Sequence, residues 1–252
     1  MPPGSLPPDV EQRLLEVAAG HALLLFGELH GTREVPGMVA TLLPRLRAVG
    51  YGGLALEVPR VDREELTAWA EGQRVRPPAF FAQPSRDGRG NAQVLELIKV
   101  AAAHQFKLLC FDQGPDQPGQ QWSDRDRWMA TNLLEQWASV CDGAHVVGIC
   151  GSLHARLAPE RGMGRLVRKA VSGGDELWPS LAGWVRQFQP ALSVAAVDVR
   201  FAAGGFFNMG ERTIYPRPGA PAEPWLRGGQ PRYTLELWLP RATPATFLAP
   251  PC

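Results

Sequence analysis

The chain has 252 residues, which is enough for one large α/β domain with a sizeable core. Its 26 Lys and Arg residues nearly balance its 25 Asp and Glu residues and are spread along the chain, so no global field recruits nucleic acid or a membrane surface. No apolar run approaches the roughly 18 residues of a membrane span, and the start, MPPGSLPPDVEQ, lacks the basic and apolar regions of a secretory signal. We therefore expect a soluble, cytoplasmic protein without a nucleic-acid or membrane partner; its oligomeric state stays open.

Apolar runs and helical periodicity alternate along the first part of the chain. Short apolar runs bounded by turn residues predict buried strands over residues 22–26, 53–57, 106–111 and 146–150. Apolar residues at helical spacing predict helices over residues 35–49, 62–71, 91–104 and 124–140. Strands that alternate with helices are typical of an α/β protein with a mainly parallel sheet.

Two of these helices carry more detailed predictions. Asp62 is expected to cap the helix over residues 62–71, with Glu65 completing a capping box. The helix over residues 124–140 is expected to expose the Asp-Arg-Asp-Arg sequence of its first turn and to bury Trp128, Leu133, Leu134 and Trp137.

The rest of the chain is less regular. Residues 72–90 are rich in Pro, Gly, Arg and Gln without a period, which predicts a long loop or lid over the end of the sheet. Further helices are predicted over 161–170 and 177–187, and further strands over 191–201 and 233–239. We predict one domain over residues 1–252, with its core at about 20–201 and an irregular C-terminal extension, 204–252, that contains the late strand.

The four cysteines show no C-x-x-C spacing for zinc or redox chemistry. We expect small buried hydrophobic residues at Cys110, Cys141 and Cys150, and Cys252 is the last residue. Cys150 lies four residues before His154, but neighbouring residues of a strand face opposite ways, so its thiol need not reach a site there.

Polar residues follow each of the first four predicted strands. They are Glu28 and His30, then Glu57, then Asp112, then His154. In an open parallel sheet, ligands bind outside the carboxyl ends of the strands. These residues are therefore expected to meet in one crevice.

The sequence Gly-Glu-Leu-His-Gly at 27–31 has glycines on both sides of an acid and an imidazole. Glu28 and His30, two residues apart, share one side if the strand conformation continues to that point. A carboxylate beside an imidazole orients the ring, which suits a general base. A structural alternative stays open, in which Glu28 pairs with Arg33 and His30 caps the following helix.

The other three strand-end residues also have two interpretations each. Glu57 ends an apolar run, where an ionised carboxylate is unfavourable unless it is paired or used in a site, and Arg33, Arg60 or a catalytic histidine are candidates to pair it. Asp112 belongs to the site or to the turn that follows it. His154 repeats the G-x-x-H spacing of residues 27–30, although a histidine there is also typical of a structural hydrogen bond.

These motifs together resemble a known superfamily. The sequences GELHGTRE and LALEVP, the FD after the third strand, the RDRWMATNL helix, and GSLHA followed by Gly162-Met163-Gly164 are similar to those of the erythromycin esterases and the ChaN-type haem-binding proteins. The paired G-x-x-H elements are also similar to the Tiki and TraB proteins. The resemblance covers roughly residues 20–200.

The resemblance implies a three-layer α/β/α fold and assigns the site. Its catalytic residues are Glu28, His30, Glu57 and His154 with Arg33, and supporting or substrate-binding groups are Asp112, Arg125 and Asp126. Unlike several relatives, the chain is expected to carry no lipoprotein or membrane anchor, and it has Ser152 where many relatives have Asn. Its C-terminal third matches no part of the family pattern.

Three functions fit these residues. The favoured one is a hydrolase of small-molecule esters, lactones or amides, in which His30, oriented by Glu28 or Glu57, activates a water and Arg33 or His154 stabilises the oxyanion. It needs no cofactor, and no G-x-S-x-G element of a serine hydrolase occurs in the chain.

The two alternatives differ in the ligand that they place at the same site. In a Tiki-like metal-dependent hydrolase, His30, His154 and a carboxylate of Glu28 or Glu57 hold a divalent ion. In a ChaN-like binding protein, haem or another flat small ligand occupies the crevice, with a histidine or one of Tyr51, Tyr215 and Tyr233 as axial ligand. The sequence leaves the cofactor, metal or haem, undecided.

Overall fold

The computed structural model describes residues 5–82, 87–119, 121–159, 177–216, 218–219, 221–229 and 231–248. The strands of its main sheet are β1 Leu23–Glu28, β2 Tyr51–Pro59, β3 Lys107–Asp112, β4 His145–Gly151, β5 Val194–Phe201, β8 Trp225–Gly228 and β9 Leu235–Leu239. Their order is β3-β2-β4-β1-β5-β9-β8, with parallel pairing everywhere except between β8 and β9. A separate antiparallel hairpin consists of β6 Gly204–Phe207 and β7 Glu211–Ile214.

Helices cover both faces of this sheet. They are α1 Pro8–Ala19, α2 Glu34–Ala48, α3 Arg63–Ala70, α4 Ala79–Ala82, α5 Ala92–Ala103, α6 Trp122–Val140 and α7 Leu181–Phe188, with a 3-10 turn at Arg60–Asp62. Alternate residues of β1 enter opposite hydrophobic clusters: Leu24 and Phe26 pack with residues of α1, α2 and α5, and Leu23 and Leu25 pack with residues of α6 and α7. Because successive strand residues face opposite ways, one apolar run supplies both cores. The predicted three-layer α/β/α fold with a mainly parallel sheet is confirmed.

The four early strands lie where the sequence predicted them, but two helix details were wrong. Asp62 makes no side-chain cap on α3, because the 3-10 turn runs directly into that helix with Asp62 already in a helical conformation. The helix predicted to begin at 124 begins at Trp122. Asp126, predicted to be exposed, is fully buried, and Trp128, predicted to be buried, is only half-buried. Leu133 is buried as predicted, and Leu134 and Trp137 are half-buried.

The later part of the chain contributes more to the sheet than its irregular sequence suggested. Residues 235–239 form β9, which pairs with β5 and extends the core sheet beyond the predicted boundary near 201. The segment predicted as a loop over 72–90 contains the short helix α4. Helix α1 was not predicted, and the helix predicted over 161–170 lies outside the described residues.

Three of the cysteines are buried free thiols, as predicted: Cys110, Cys141 and Cys150. Burial raises the pKa of the Cys150 thiol well above its ordinary value, an effect that the neighbouring carboxylates reinforce. Such a thiol stays protonated and is not activated as a nucleophile. Cys252 lies outside the described residues.

Within the described ranges, the structure contains no helix with the length and apolar character needed to cross a membrane.

Candidate functional site

Four neighbouring strands bring their carboxyl ends together at one edge of the sheet. They lie in the order β3, β2, β4, β1. Asp112 ends β3, Glu57 lies near the end of β2, His154 follows β4, and Glu28 ends β1. All four of these side chains are buried. The predicted convergence is therefore a direct consequence of the parallel topology.

Glu28 and His30 form a hydrogen-bonded pair after β1. The Nδ1 atom of His30 donates to Oε1 of Glu28 over 2.9 Å, and the imidazole is about 15% exposed. The other ring nitrogen, Nε2, lies 3.5 Å from Oε2 of Glu57. The ring is thus held between two carboxylates, with its Nε2 edge toward the centre of the cluster.

Glu57 is the hub of the cluster. Its Oε2 accepts a hydrogen bond from the backbone N–H of Gly151 over 2.8 Å, and its Oε1 accepts from Nη2 of Arg125 over 2.7 Å. Oε1 also accepts from Nη1 of Arg89 over 3.2 Å. These partners satisfy a carboxylate whose side chain is only 4% exposed, as the sequence argument required.

Asp112 shares both of these arginines. Its Oδ1 lies 2.8 Å from Nη2 of Arg125, and its Oδ2 accepts from Nη1 of Arg89 over 2.5 Å. Two carboxylates and two guanidiniums therefore alternate around one point. In this arrangement Asp112 holds both arginines in place.

His154 is fixed on three sides by the first turns of α6. Its Nδ1 contacts Oδ1 of Asp126, its Nε2 accepts from Nη1 of Arg125 over 3.0 Å, and the indole of Trp122 stacks on the ring at a centroid distance of 5.1 Å. The buried Asp126 is thus a partner of His154 and not a surface residue. The pair repeats the carboxylate–imidazole arrangement of Glu28 and His30 on the neighbouring strand.

The two imidazoles meet above the backbone of Gly151. A Cβ atom at this position would lie 2.8 Å from Nε2 of His30 and 3.3 Å from Cδ2 of His154. Glycine is therefore needed here for close approach of both rings to the strand end.

Burial and charge shift the pKa values of the site in opposite directions. Burial raises the pKa of Glu28, and its contact with His30 opposes this only in part. Burial alone would lower the pKa of His30, but the carboxylates of Glu57 and Glu28 outweigh it, and the pKa lies above its ordinary value. Burial alone would raise the pKa of Glu57, but the neighbouring histidines and arginines outweigh it, and the pKa lies well below its ordinary value.

Arg33 does not join this cluster. Its side chain is exposed, and its Nε donates to the backbone carbonyl of Pro244 over 2.7 Å. The alternative pairing of Glu28 with Arg33 is likewise not formed. The guanidiniums that contact the cluster are those of Arg89 and Arg125.

Arg89 is the site residue that the sequence argument missed. It comes from the segment over 72–90, which lacks periodicity and offers several arginines, so its position was not readable from the sequence. The one available signal was electrostatic, because buried carboxylates at Glu57 and Asp112 require cations nearby. Among the described residues, Nη2 of Arg89 has no hydrogen-bond partner, whereas its Nε donates to Asp87 over 2.7 Å and its Nη1 binds Glu57 and Asp112.

Backbone contacts at Gly88 hold the Arg89 segment against the turn that carries His30. Gly88 has a positive φ of 84°, and a Cβ there would lie 2.4 Å from the carbonyl oxygen of Phe207 and 2.7 Å from Cα of Gly31. The carbonyl of Gly31 in turn accepts hydrogen bonds from the N–H groups of Phe207 and Ala245. The C-terminal extension thus fixes the loops that carry His30 and Arg89.

Replacing Gly88 by Ala is expected to destabilise the protein and to displace Arg89. The positive φ alone costs a non-glycine residue about 1 kcal/mol, and the clash with Phe207 and Gly31 adds about 2 kcal/mol. Urea unfolding of Gly88→Ala and Gly72→Ala separates the two effects, because Gly72 has a similar φ of 76° with nothing within 4 Å of its Cβ position. Equal losses in the two variants would show that the close packing at Gly88 is unimportant.

A metal site needs several His, Cys, Asp or Glu side chains that converge on one position. Among the described residues, no group of three or more His, Cys, Asp or Glu side chains is arranged to hold a metal. The guanidinium of Arg125 lies 3.0 Å from Nε2 of His154 and binds Oε1 of Glu57, so a cation already occupies the position between these two predicted ligands. The arrangement does not fit the predicted His30, His154 and carboxylate ligand set.

Two of the three tyrosines predicted as candidate haem ligands donate their hydroxyl groups to backbone carbonyls. The hydroxyl of Tyr51 donates to the carbonyls of Ala18 and His21, that of Tyr233 donates to the carbonyl of Ser152, and Tyr215 is exposed.

No protein-family model matches the chain, and no curated protein sequence matches it. Solved structures do. A histidine mutant of the erythromycin esterase EreC in its open conformation matches with a TM-score of 0.70 and 9% identity, over 99% of this chain and 98% of that one. This chain has the fold of EreC. A succinoglycan biosynthesis protein matches equally well, with a TM-score of 0.70 and 10% identity over 96% of this chain and 93% of that one.

The predicted resemblance to erythromycin esterases is thus confirmed as a likeness of fold to EreC over almost the whole chain. A ChaN from Campylobacter jejuni, described with cofacial haem binding, matches with a TM-score of 0.49 and 13% identity, over 91% of this chain and 90% of that one.

Proposed function

We propose that this protein is a hydrolase of small-molecule esters, lactones or amides, with His30 as the general base. The observation that carries the proposal is the Glu28–His30 pair, in which the carboxylate binds one ring nitrogen and leaves the other directed into the cluster. The EreC-like fold, shared with an esterase, supports the same class of reaction.

In the proposed mechanism, Nδ1 of His30 carries the ring proton. Because Nδ1 donates its proton to Glu28, the lone pair of the neutral ring is on Nε2, which takes a proton from the attacking water. The carboxylate of Glu57, 3.5 Å from Nε2, stabilises the imidazolium that forms. The buried carboxylates thus orient the base and hold its positive charge after proton transfer, as in other carboxylate–imidazole pairs.

Arg89 is the best-placed group to stabilise the oxyanion. Its Nη1 is held by Glu57 and Asp112, which leaves Nη2 as a donor without a hydrogen-bond partner among the described residues. Its side chain is 17% exposed, so it reaches the surface of the cluster. A preorganised cation aimed at developing negative charge lowers the barrier of acyl transfer.

His154 acts in this proposal as a positioning residue. Its Nε2 accepts from Arg125, which in turn binds Glu57, so the Asp126–His154 pair fixes the guanidinium that holds the hub of the cluster. We also propose that the substrate is a small molecule and that the reaction needs no cofactor.

The test is turnover by the purified protein of a panel that contains a p-nitrophenyl ester, a macrocyclic lactone and an aryl amide. We expect hydrolysis of at least one member, retained after dialysis against a metal chelator. A protein that leaves the whole panel unchanged, or that loses all activity on chelation, would contradict the proposal.

The rate of hydrolysis is expected to rise with pH through the pKa of His30. The general base must be neutral, and the carboxylates around His30 raise its pKa above the ordinary value of about 6.5. Activity therefore falls as the pH drops through that pKa and reaches a plateau above it. The kcat/KM profile measured from pH 5 to 9 checks this expectation, and a flat profile below pH 6.5 would exclude a histidine base.

A further inference from the structure

The two arginines of the site use their guanidinium nitrogens differently. All three nitrogens of Arg125 contact members of the cluster. Arg89 contacts Glu57 and Asp112 through Nη1 and Asp87 through Nε, which leaves Nη2 without a hydrogen-bond partner among the described residues. Arg125 is therefore fully engaged within the cluster, whereas Arg89 keeps donors for a ligand.

The contacts of Arg89 to the cluster do not by themselves fix the direction of Nη2. The carboxylates of Glu57 and Asp112 and the backbone carbonyl of Glu57 all accept from the same nitrogen, Nη1. A guanidinium that is attached at one atom can turn about it, and the conformational entropy of a long side chain opposes a single orientation. A contact at a second nitrogen is needed to hold Nη2 in one direction.

Asp87 supplies this second contact. Its Oδ2 accepts from Nε of Arg89 over 2.7 Å, and its Oδ1 accepts from the backbone N–H of the same residue over 3.3 Å. An Asp side chain commonly binds the backbone two residues further along the chain. Gly88, between the two, has no room for a Cβ because Phe207 and Gly31 pack against it. Asp87 and Arg89 are therefore held together in one closely packed segment.

The guanidinium also has a neighbour on its face and lies in the same electrostatic environment as the proposed base. Its Cζ lies 5.7 Å from the ring centroid of Phe80. Burial and the charge of Arg89 both act to lower the pKa of His30, although the neighbouring carboxylates raise that pKa overall. An oxyanion donor and a general base must share one site in this way.

We propose that Asp87 is a positioning residue for hydrolysis, which directs Nη2 of Arg89 toward the oxyanion by holding Nε and the backbone N–H of that arginine. This inference rests on the proposed function, since Asp87 acts through Arg89. In the part of the chain that the structure describes, the polar contacts of Asp87 are to Arg89 alone. Its side chain is 37% exposed, and such a pair contributes little to stability, so removal of Asp87 leaves the protein folded.

Steady-state kinetics of Asp87→Ala test the proposal with the panel substrate that the wild type hydrolyses. We expect kcat to fall about 10- to 100-fold, the effect of a misplaced oxyanion donor. Because this donor acts in the transition state, KM should stay unchanged. The control is Asp116→Ala, which removes an exposed carboxylate 3.6 Å from Arg60 and should keep the wild-type kcat. A wild-type kcat in Asp87→Ala would overturn the proposal.

Two further variants separate the positioning of Arg89 from a general structural effect. Asp87→Asn keeps an acceptor oxygen for Nε, so we expect it to recover most of the kcat that Asp87→Ala loses. In Arg89→Gln the donor is absent, so the addition of Asp87→Ala should cause no further loss. An equal loss in Asp87→Asn and Asp87→Ala, or additive losses in the double variant, would overturn the role of the Asp87–Arg89 contact.

Binding of methyl phenylphosphonate gives a readout that does not need turnover. This monoanion is tetrahedral and carries its charge on oxygen, as the intermediate of ester hydrolysis does. In isothermal titration calorimetry at pH 7.5, we expect Asp87→Ala and Arg89→Gln to bind it at least about tenfold more weakly than the wild type, with circular dichroism showing folded proteins. Equal affinity in Asp87→Ala, or no binding by the wild type, would overturn the proposal.

These outcomes distinguish a failure of this inference from a failure of the proposed function. If the wild type hydrolyses no panel substrate, the hydrolase proposal fails and the phosphonate affinities decide the role of Asp87. If turnover is lost in His30→Gln and Arg89→Gln but unchanged in Asp87→Ala, the hydrolase proposal stands and the inference about Asp87 is wrong.

Discussion

Replacing Glu57 by Gln is expected to lower the free energy of unfolding by about 3 kcal/mol. The carboxylate accepts from Arg89, Arg125 and the N–H of Gly151 in a setting where its side chain is only 4% exposed. Without its charge, the two guanidiniums retain only Asp112 as a shared anionic partner. Removal of one member of a buried ionic group leaves the others incompletely compensated, which destabilises more than a surface pair would.

The matched control for this prediction is Glu65→Gln. Glu65 forms an exposed ion pair with Arg74 at 3.0 Å, with both side chains more than two-fifths exposed. Exposed pairs contribute about 0–1 kcal/mol because water screens them. Urea unfolding of both variants at pH 7 measures the difference, and equal losses would show that the cluster around Glu57 does not stabilise the fold.

The effect of Glu57→Gln is also expected to depend on pH. The folded protein holds the pKa of Glu57 well below its ordinary value, so the ionised carboxylate stabilises the protein above the unfolded-state pKa of about 4.3. This contribution is lost as the pH falls through the lowered folded-state pKa. The wild type and the variant should therefore differ fully at pH 7 and converge under strongly acidic conditions.

Replacing His30 by Gln is expected to reduce kcat/KM for the hydrolysed substrate by about 10²–10⁴-fold, the range that general bases contribute. The amide can still bond to Glu28, but it cannot accept a proton at the position of Nε2. Because the group acts in proton transfer, the loss should fall mainly on kcat, and the fall in activity below the wild-type pKa should disappear.

The control is His104→Gln, an exposed histidine at the end of α5. It should keep the wild-type kcat/KM and pH profile. If His30→Gln is folded by circular dichroism and still within threefold of the wild type, His30 is not the base and the proposed mechanism is wrong.

The local sequence was sufficient to predict the central strands and the polar residues that meet at their carboxyl ends. The apolar runs of β1 to β4 have the length of buried strands and are too short for helices. The turn residues on either side of each run set its ends. Since parallel strands end at the same edge, the convergence of Glu28, Glu57, Asp112 and His154 follows from the parallel direction of the strands. The Glu28–His30 contact is also local, because residues two apart on an extended chain share a face.

Only the tertiary structure decided which partners complete these residues. Arg89, and not Arg33, reaches Glu57 because backbone contacts at Gly88 and Gly31 fold one loop onto another, and no sequence period records such a contact. Asp126 faces inward because α6 begins at Trp122 and packs its first turns against His154. Local patterns encode burial and backbone conformation, whereas the pairing of charges depends on which distant segments the folded chain brings within about 3 Å.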